Sequence, residues 1–289
     1  MRITETRMLR LMSERTLDTQ SSIADAATEV STGIAVQRPS DDPLRWADGM
    51  RTKLSLDRRE VHESTVERVR DNLSRTDTAL DELIDGLSDI RELAVLGASE
   101  TNNEAGRAMA ALEISTIFEG MLATANVRSV DGEYLLAGSN SNTPPFDAAG
   151  VYQGNDVRRT IEVSDQTFKP AGVTGTILTA AAGIDVFGSI VAVQTALEAN
   201  DPAATQALLE DLATSLDQLA HAQAEAGVIA SSLDDSLETL DVLELSLSAS
   251  FESSVGADPI EAATALANFS NQLEVSRAVS ERIVSLMSF

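Results

Sequence analysis

The sequence predicts a mainly α fold, a long antiparallel helical coiled-coil rod with a small β-hairpin domain inserted between its two halves. Three observations predict it. Two long stretches without proline repeat apolar residues at alternating steps of four and three, the spacing that holds one helix face against a partner. The segment between them turns to glycine, proline and β-prone residues. Aromatic residues make up only 3% of the chain, with a single tryptophan, Trp46, and a thin helix-on-helix core suits that composition better than a thick globular one.

Residues 1–38 read as an N-terminal helix with a ragged apolar face: Met8, Leu9, Leu11, Met12, Ile23, Ala26, Ala27 and Val30. Such a helix offers too little apolar surface to offset backbone ordering alone. Gln37-Arg38-Pro39-Ser40-Asp41-Asp42-Pro43 then stops one helix and caps another, with short oxygen acceptors before a first-turn proline. The outgoing half of the rod spans 39–130. Its seam is Val69, Leu73, Thr76, Leu80, Leu83, Leu87, Ile90 and Ala94. After the Thr101-Asn102-Asn103 break, Ala110, Ile114, Ile117, Met121 and Ala125 mark a second helix folded against the first.

Residues 131–183 form the predicted β-rich tip. Asp131-Gly132 and Gly138-Ser139-Asn140 favour turns, and Thr143-Pro144-Pro145 forbids helix. Val151-Tyr152, Thr160-Ile161-Glu162-Val163 and Gly175-Thr176-Ile177-Leu178 are short β-prone pieces. The returning half spans 184–257, with a short helix over Asp185–Glu198 and then a seam of Leu212, Leu216, Leu219, Gln223, Ala226, Ala230, Leu233, Leu237, Leu240, Glu244, Leu247 and Phe251. Gly256-Ala257-Asp258-Pro259 ends it. Residues 258–289 form a last amphipathic helix, with Leu266, Phe269 and Leu273 on one stripe and Val275, Val279, Ile283 and Leu286 beside it. The two ends mirror each other, so an unknotted chain packs the seams side by side and brings the termini together. Both terminal segments are expected to be mobile in the monomer and to become helical together on assembly.

Charge excludes several functions. The net charge is −25, and no Lys or Arg lies between Lys169 and Arg277, an interval with 16 Asp and Glu. Nucleic-acid binding rests on clustered basic residues, so that partner is not expected. The chain has no cysteine and two histidines. No HExxH and no paired His–carboxylate spacing is present, so no metal is expected. Backward extrapolation of the first seam makes His62 a packed or partner-facing residue; His221 lies off its seam. Nucleotide-binding glycine loops are absent, Asp41-Asp42 suits helix capping, and Asp234-Asp235 suits solvated surface. No catalysis and no cofactor are expected. The N-terminus lacks a secretory apolar region and no uninterrupted apolar run approaches membrane-spanning length, so neither a cleaved signal nor membrane insertion is expected.

In order and motif the chain resembles the bacterial flagellin superfamily, and within it the hook–filament junction branch. Leu87-Ser88-Asp89-Ile90-Arg91-Glu92-Leu93-Ala94-Val95 is similar to the Leu-x-x-Ile/Val-Arg-Glu-Leu-Ala-Val segment of flagellin's first long helix. Pro39-Ser40-Asp41-Asp42-Pro43 resembles the junction branch's Pro-Ser-Asp-Asp-Pro. Ala125-Asn126, Gly132-Glu133-Tyr134-Leu135-Leu136-Ala137-Gly138 and Pro145-Phe146 resemble its turnaround; Tyr152-Gln153-Gly154-Asn155-Asp156 and Asp185-Val186-Phe187 resemble its tip. The resemblance implies export through the flagellar type III apparatus and an extracellular place between hook-associated protein 1 and flagellin, as a ring of this chain. It also implies a cytosolic export chaperone on the C-terminal region. Arg91 and Glu92, off the seam, are then expected to contact partners, as are Ile23, Val30, Leu266, Phe269, Leu273, Val279, Ile283 and Leu286. A filament flagellin and an unrelated extracellular rod-like binding protein are the competing expectations.

Overall fold

The structure, a computed structural model, describes the backbone of residues 2–287 and all side chains in that span except those of 2–6, 8, 9 and 283–287. Seven helices are assigned in it: α1 (Arg2–Thr32), α2 (Pro43–Ala98), α3 (Glu104–Ala125), α4 (Val186–Glu198), α5 (Pro202–Ala207), α6 (Leu209–Val255) and α7 (Pro259–Met287). Strands β1 (Thr160–Ser164) and β2 (Thr167–Pro170) pair antiparallel. The chain divides into two compact units, one of residues 1–59 with 242–289 and one of residues 60–241.

In the larger unit α2 and α6 share a seam. Gln223 donates to Asp81 Oδ1 at 2.5 Å, and Arg70 Nε lies 2.5 Å from Asp234 Oδ1. Eleven residues down α2 correspond to eleven up α6, which makes the pair antiparallel. Every α2 seam residue predicted from Val69 to Ala94 is buried. The α6 seam is rotated from the expectation. Leu212, Leu219, Ala226, Leu233 and Leu240 are buried as expected, but their companions are Ser215, Ala222, Ile229 and Ser236. Leu216, Gln223, Ala230 and Leu237 stand at the rim instead, half-buried. Three of the four buried companions are serine or alanine, and such small side chains leave room for the backbones to approach. The buried hydroxyls cause no deficit, because Ser215 and Ser236 donate to the carbonyls of Asp211 and Ser232 four residues back.

Helix α3 starts at Asn103, whose side chain accepts from Gly106 N at 2.8 Å. It folds back along α2: Thr124 donates to Glu82 at 3.0 Å, and a Cβ at Gly86 would stand 3.0 Å from Met121 Cγ. Arg107 is buried in the turn between them. Its guanidinium donates to the carbonyls of Gly97 and Ser99 and to Asn200 Oδ1, at 2.6–3.0 Å. The last carbonyls of α2 thereby receive a cation, the charge that a helix C-terminus favours. Asp185 and Asp201 cap α4 and α5, with Pro202 in the first turn of α5.

The turnaround is fastened by Asn126, whose amide donates to Phe146 O at 3.1 Å and accepts from Phe146 N at 3.0 Å. Phe146 then meets Tyr152 and Phe187 at centroid distances of 5.2 and 5.1 Å, and Phe187 meets Phe118 edge-on at 5.7 Å. The chain's few aromatics are therefore concentrated where an irregular backbone must be held. The predicted strand at Thr160–Val163 is β1. The other two β-prone pieces differ: Val151-Tyr152 supplies only an isolated bridge, Phe146 to Tyr152. Gly175–Leu178 is a 3-10 turn, because Gly175 N is drawn to Leu136 O at 2.7 Å and a Cβ there would be 2.5 Å from the Tyr152 ring.

In the smaller unit the terminal segments are already helical and pair with each other in the single chain, where ordering had been expected only on assembly. Each supplies apolar cover that the other lacks.

Two outcomes follow from this packing. Leu219→Ala should destabilise the protein by about 3 kcal/mol and Leu216→Ala by about 1 kcal/mol, measured by chemical denaturation. Equal losses would return the seam to the position expected from sequence. Burial, helped by the charge of Asp156, pushes the Tyr152 phenol up to about 12 from an ordinary 10.0. Stability from this group is thus present below the unfolded pKa, near 10, and lost as pH rises toward 12. Absorbance titration should find one of the two tyrosines resisting ionisation to about pH 12.

Candidate functional site

The terminal pair is built from side chains that are individually weak. Along α1, Met12, Thr16, Thr19, Ile23 and Ala26 recur at steps of four and three, and all are half-buried or buried. Facing them on α7 are Ala262, Leu266, Phe269, Leu273, Ser276 and Ser280. Thr16 Oγ1 and Ser276 Oγ lie 3.5 Å apart. At the other end of the contact Ala257 N donates to Gly33 O at 2.9 Å, so the helices run antiparallel. Gly33 turns there with φ +68°, the left-handed conformation that ends helices and favours glycine.

The two proline-bearing breaks are stitched to each other. Ala35 N donates to Val255 O at 2.8 Å, completing with Ala257 and Gly33 a one-rung antiparallel bridge between Ile34 and Gly256. Val36 and Val255 are buried beside it. Gly49 permits this: a Cβ there would stand 2.4 Å from Val255 Cγ1. Asp41 accepts from Gln37 N and Arg38 N at 3.2 and 2.9 Å, while Asp42 caps α2 through Leu44 N and Arg45 N, both 3.0 Å. The neighbouring carboxylates are thus both consumed by backbone donors. Asp258 does the same for α7, accepting from Ile260 N at 2.8 Å and Glu261 N at 3.2 Å. Arg59, 6% exposed, meets Glu244 at 2.7 Å, which accounts for the polar member at that place in the α6 seam.

The expected contact residues divide into groups. Ile23, Leu266, Phe269 and Leu273 are turned into the α1–α7 contact. Val30 and Val279 stay open, at 45% and 46% exposure, and Arg91 and Glu92 on α2 are exposed. Ile283 and Leu286 lie outside the described side chains. Sequence reasoning missed Thr16, Thr19, Ser276 and Ser280, whose signal is small polar residues repeating at helical spacing. Around the pair, Leu11, Leu17, Leu44, Leu54, Leu245, Ile260 and Val275 are each more than half exposed. These side chains are open apolar surface on the same unit as the terminal pair.

Chemistry other than contact finds little support among the described residues. No group of three His, Asp or Glu gathers as metal ligands. His62 is packed, with Nδ1 3.3 Å from Glu162 O and Nε2 3.7 Å from Asp165, so it joins α2 to the β-hairpin. His221 is exposed along a cleft of about 420 Å³ with Asp217, Gln218 and Glu225, but Gln218 is committed to Ile177 O and to the backbone of Ile184. Asp234 is held by Arg70 and Asp235 is exposed. One helix, α3, is long and apolar enough to cross a membrane by length and composition, and one face of it is buried in the core.

Comparison with known proteins agrees with this architecture. Residues 5–141 match the family described as bacterial flagellin N-terminal helical region. The flagellar hook-associated protein 3 of Salmonella typhimurium is 25% identical over 148 residues, covering 51% of this chain and 47% of that protein. The protein of the same name from Escherichia coli is 28% identical over 129 residues, 44% of this chain and 40% of that one. The chain thus spans under half the length of these relatives. A solved flagellar hook-associated protein from Vibrio parahaemolyticus superposes with a TM-score of 0.69 at 20% identity, over 75% of this chain and 100% of that one. FlgL of Xanthomonas campestris gives 0.61 at 17% identity, over 70% and 99%. The match to the flagellin N-terminal helical region thus takes in just under half of this chain, and in that region and in fold the chain resembles the proteins named flagellar hook-associated protein 3.

Proposed function

We propose that this chain is a structural subunit of the bacterial flagellum, standing at the junction between hook and filament. The observation that carries the reading is the terminal pair: two long helices, fastened by a backbone bridge, that mix small polar and apolar residues in their contact and leave further large aliphatic ones outside. A pair made this way holds its own shape weakly and gains most from further burial by neighbours. The partners in this reading are hook-associated protein 1 on one side, flagellin on the other, and copies of the chain itself in a ring. Export without a cleaved signal, with a cytosolic chaperone guarding the C-terminal helix before passage, fits an aliphatic surface that would otherwise associate early. The final location is extracellular, and the reading assigns the chain no catalytic step and no cofactor. The domain plan that goes with it treats 1–38 and 258–289 as polymerisation helices and 39–130, 131–183 and 184–257 as outgoing half, tip and returning half.

Two measurements test it. A chain trimmed to residues 39–257 should stay soluble, keep the main melting transition of the full chain and fail to restore motility to cells lacking the native protein. Restored motility would remove the terminal pair from the assembly. Arg91→Ala should lower assembly on purified hooks by about fivefold, the effect of losing roughly 1 kcal/mol of contact, with helicity by circular dichroism unchanged. Loss of helicity would make Arg91 a residue of the fold.

A further inference from the structure

Three Asp-Gly steps occur in the chain: Asp48-Gly49, Asp85-Gly86 and Asp131-Gly132. Each carries the same latent chemistry. The glycine amide nitrogen can attack the aspartate Cγ, because glycine has no side chain to crowd the approach. A bond forms between that nitrogen and Cγ, the carboxyl hydroxyl leaves as water with the amide proton, and a five-membered succinimide results. Water then adds to one of its two carbonyls. Opening on one side restores aspartate; opening on the other leaves isoaspartate, in which the main chain runs through the side-chain carbons. The water lost in the first step is regained in the second, so the mass is unchanged and no further reactant is needed.

The fold treats the three steps differently. Gly49 and Gly86 lie inside α2, where each amide is committed to the carbonyl four residues back. Closing the ring requires the aspartate ψ to leave its helical value, so that part of α2 would have to open first. Both glycines are also packed: Gly49 is buried beside Val255, and a Cβ at Gly86 would stand 3.0 Å from Met121 Cγ. Asp48 is further held by Arg51 at 3.0 Å.

Asp131-Gly132 instead lies in the irregular turn that follows α3. Both residues are exposed, and the Asp131 carboxylate has no hydrogen bond or ion pair among the described residues. Gly132 has a φ of +84°, and a Cβ there would meet nothing within 4 Å. Its amide donates to Ser129 O at 3.0 Å. A single turn bond at the surface opens at little cost compared with one inside a long packed helix.

We propose that Asp131 is a site of spontaneous isomerisation: in the folded protein the Asp131-Gly132 turn converts to isoaspartate, while the two identical steps in α2 are preserved. The product lengthens the main chain by a carbon inside a tight turn. Ser129 N donates to Glu133 O there at 2.8 Å, and Glu133 N donates to Ser129 Oγ at 3.2 Å. The turn carries the bridge between Arg128 and Tyr134, with the guanidinium 4.2 Å from the ring centroid, and Leu135 N donates to Val127 O beyond it. An aged chain therefore has a looser turnaround. This ageing depends on the chain alone, whether or not it enters a flagellum.

Full-length protein, kept folded for weeks at physiological temperature and then digested, gives the test. Peptide mapping should split the peptide containing Asp131 into two peaks of equal mass, the new one a substrate for an isoaspartyl methyltransferase. Conversion there should outpace that at Asp48 and Asp85 by about tenfold or more. In concentrated urea the three steps should convert at similar rates. Equal rates in the folded protein, or faster conversion at Asp48 or Asp85, overturn the proposal, and a difference that persists in urea removes the fold as its cause. Asp131→Glu keeps the charge but would need a six-membered ring, so it should lose the second peak with helicity unchanged. Aged native protein should melt about 2–4 °C below fresh protein, and aged Asp131→Glu should not. An equal fall in both overturns the link to the turnaround.

Discussion

The antiparallel contact of α2 with α6 is the constraint on which the larger unit depends. Its centre is aliphatic, from Leu73, Leu80, Leu83 and Leu87 against Leu212, Leu219, Leu233 and Leu240. Its rim is polar: Asp81 with Gln223 and Arg70 with Asp234 fix which turn lies opposite which. A one-residue slip would part both rim pairs and turn half of the leucines outward. Exposed ion pairs contribute little stability, so their part here is register more than energy. With the register set, Gly86 meets Met121, Gly97 meets Leu197, and Arg107 reaches the end of α2. Those contacts place α3 and α4, and the aromatic cluster of the tip is built on them.

Much of this was legible in the sequence. The α2 seam was read residue by residue, since its leucines alternate without interruption and its one threonine, Thr76, donates to Asn72 O. The cap at Asp42 was legible for a related reason, a short acceptor just before a first-turn proline; Asp185, Asp201 and Asp258 read only as helix boundaries, and the structure makes each a cap. The α6 seam was half legible. Ser215 and Ser236 were left out of it, although a helical serine can satisfy its own hydroxyl four residues back and then pack as a small apolar group. Gly175–Leu178 carried β-prone residues but lost its strand to a tertiary demand, the hydrogen bond to Leu136 O and the ring of Tyr152.

Legibility fell further at the terminal pair. Ragged apolar faces predicted two helices that need company, and the structure supplies it between α1 and α7. What could not be read was the division of labour. Thr16, Ile23, Ala26, Leu266, Phe269 and Ser276 face inward, whereas Leu11, Leu17, Val275 and Val279 remain open. Amphipathic periodicity shows that a helix has a face; it does not choose between two candidate faces when both are only partly apolar. The bridge from Ile34 to Gly256 had no signal beyond the glycines at Gly33 and Gly256, and it ties the breaks that flank both helices.

The central claim is that the α2–α6 seam is complete within one chain while the α1–α7 pair is completed by neighbours. Amide hydrogen exchange on the full-length protein, free and assembled on hooks, tests it most directly. In the free protein the amides of residues 69–94 and 212–240 should exchange slowest and those of α1 and α7 far faster, with the terminal helices slowing at least tenfold on assembly. Terminal helices as protected as the seam in the free chain, and unchanged on assembly, would contradict it.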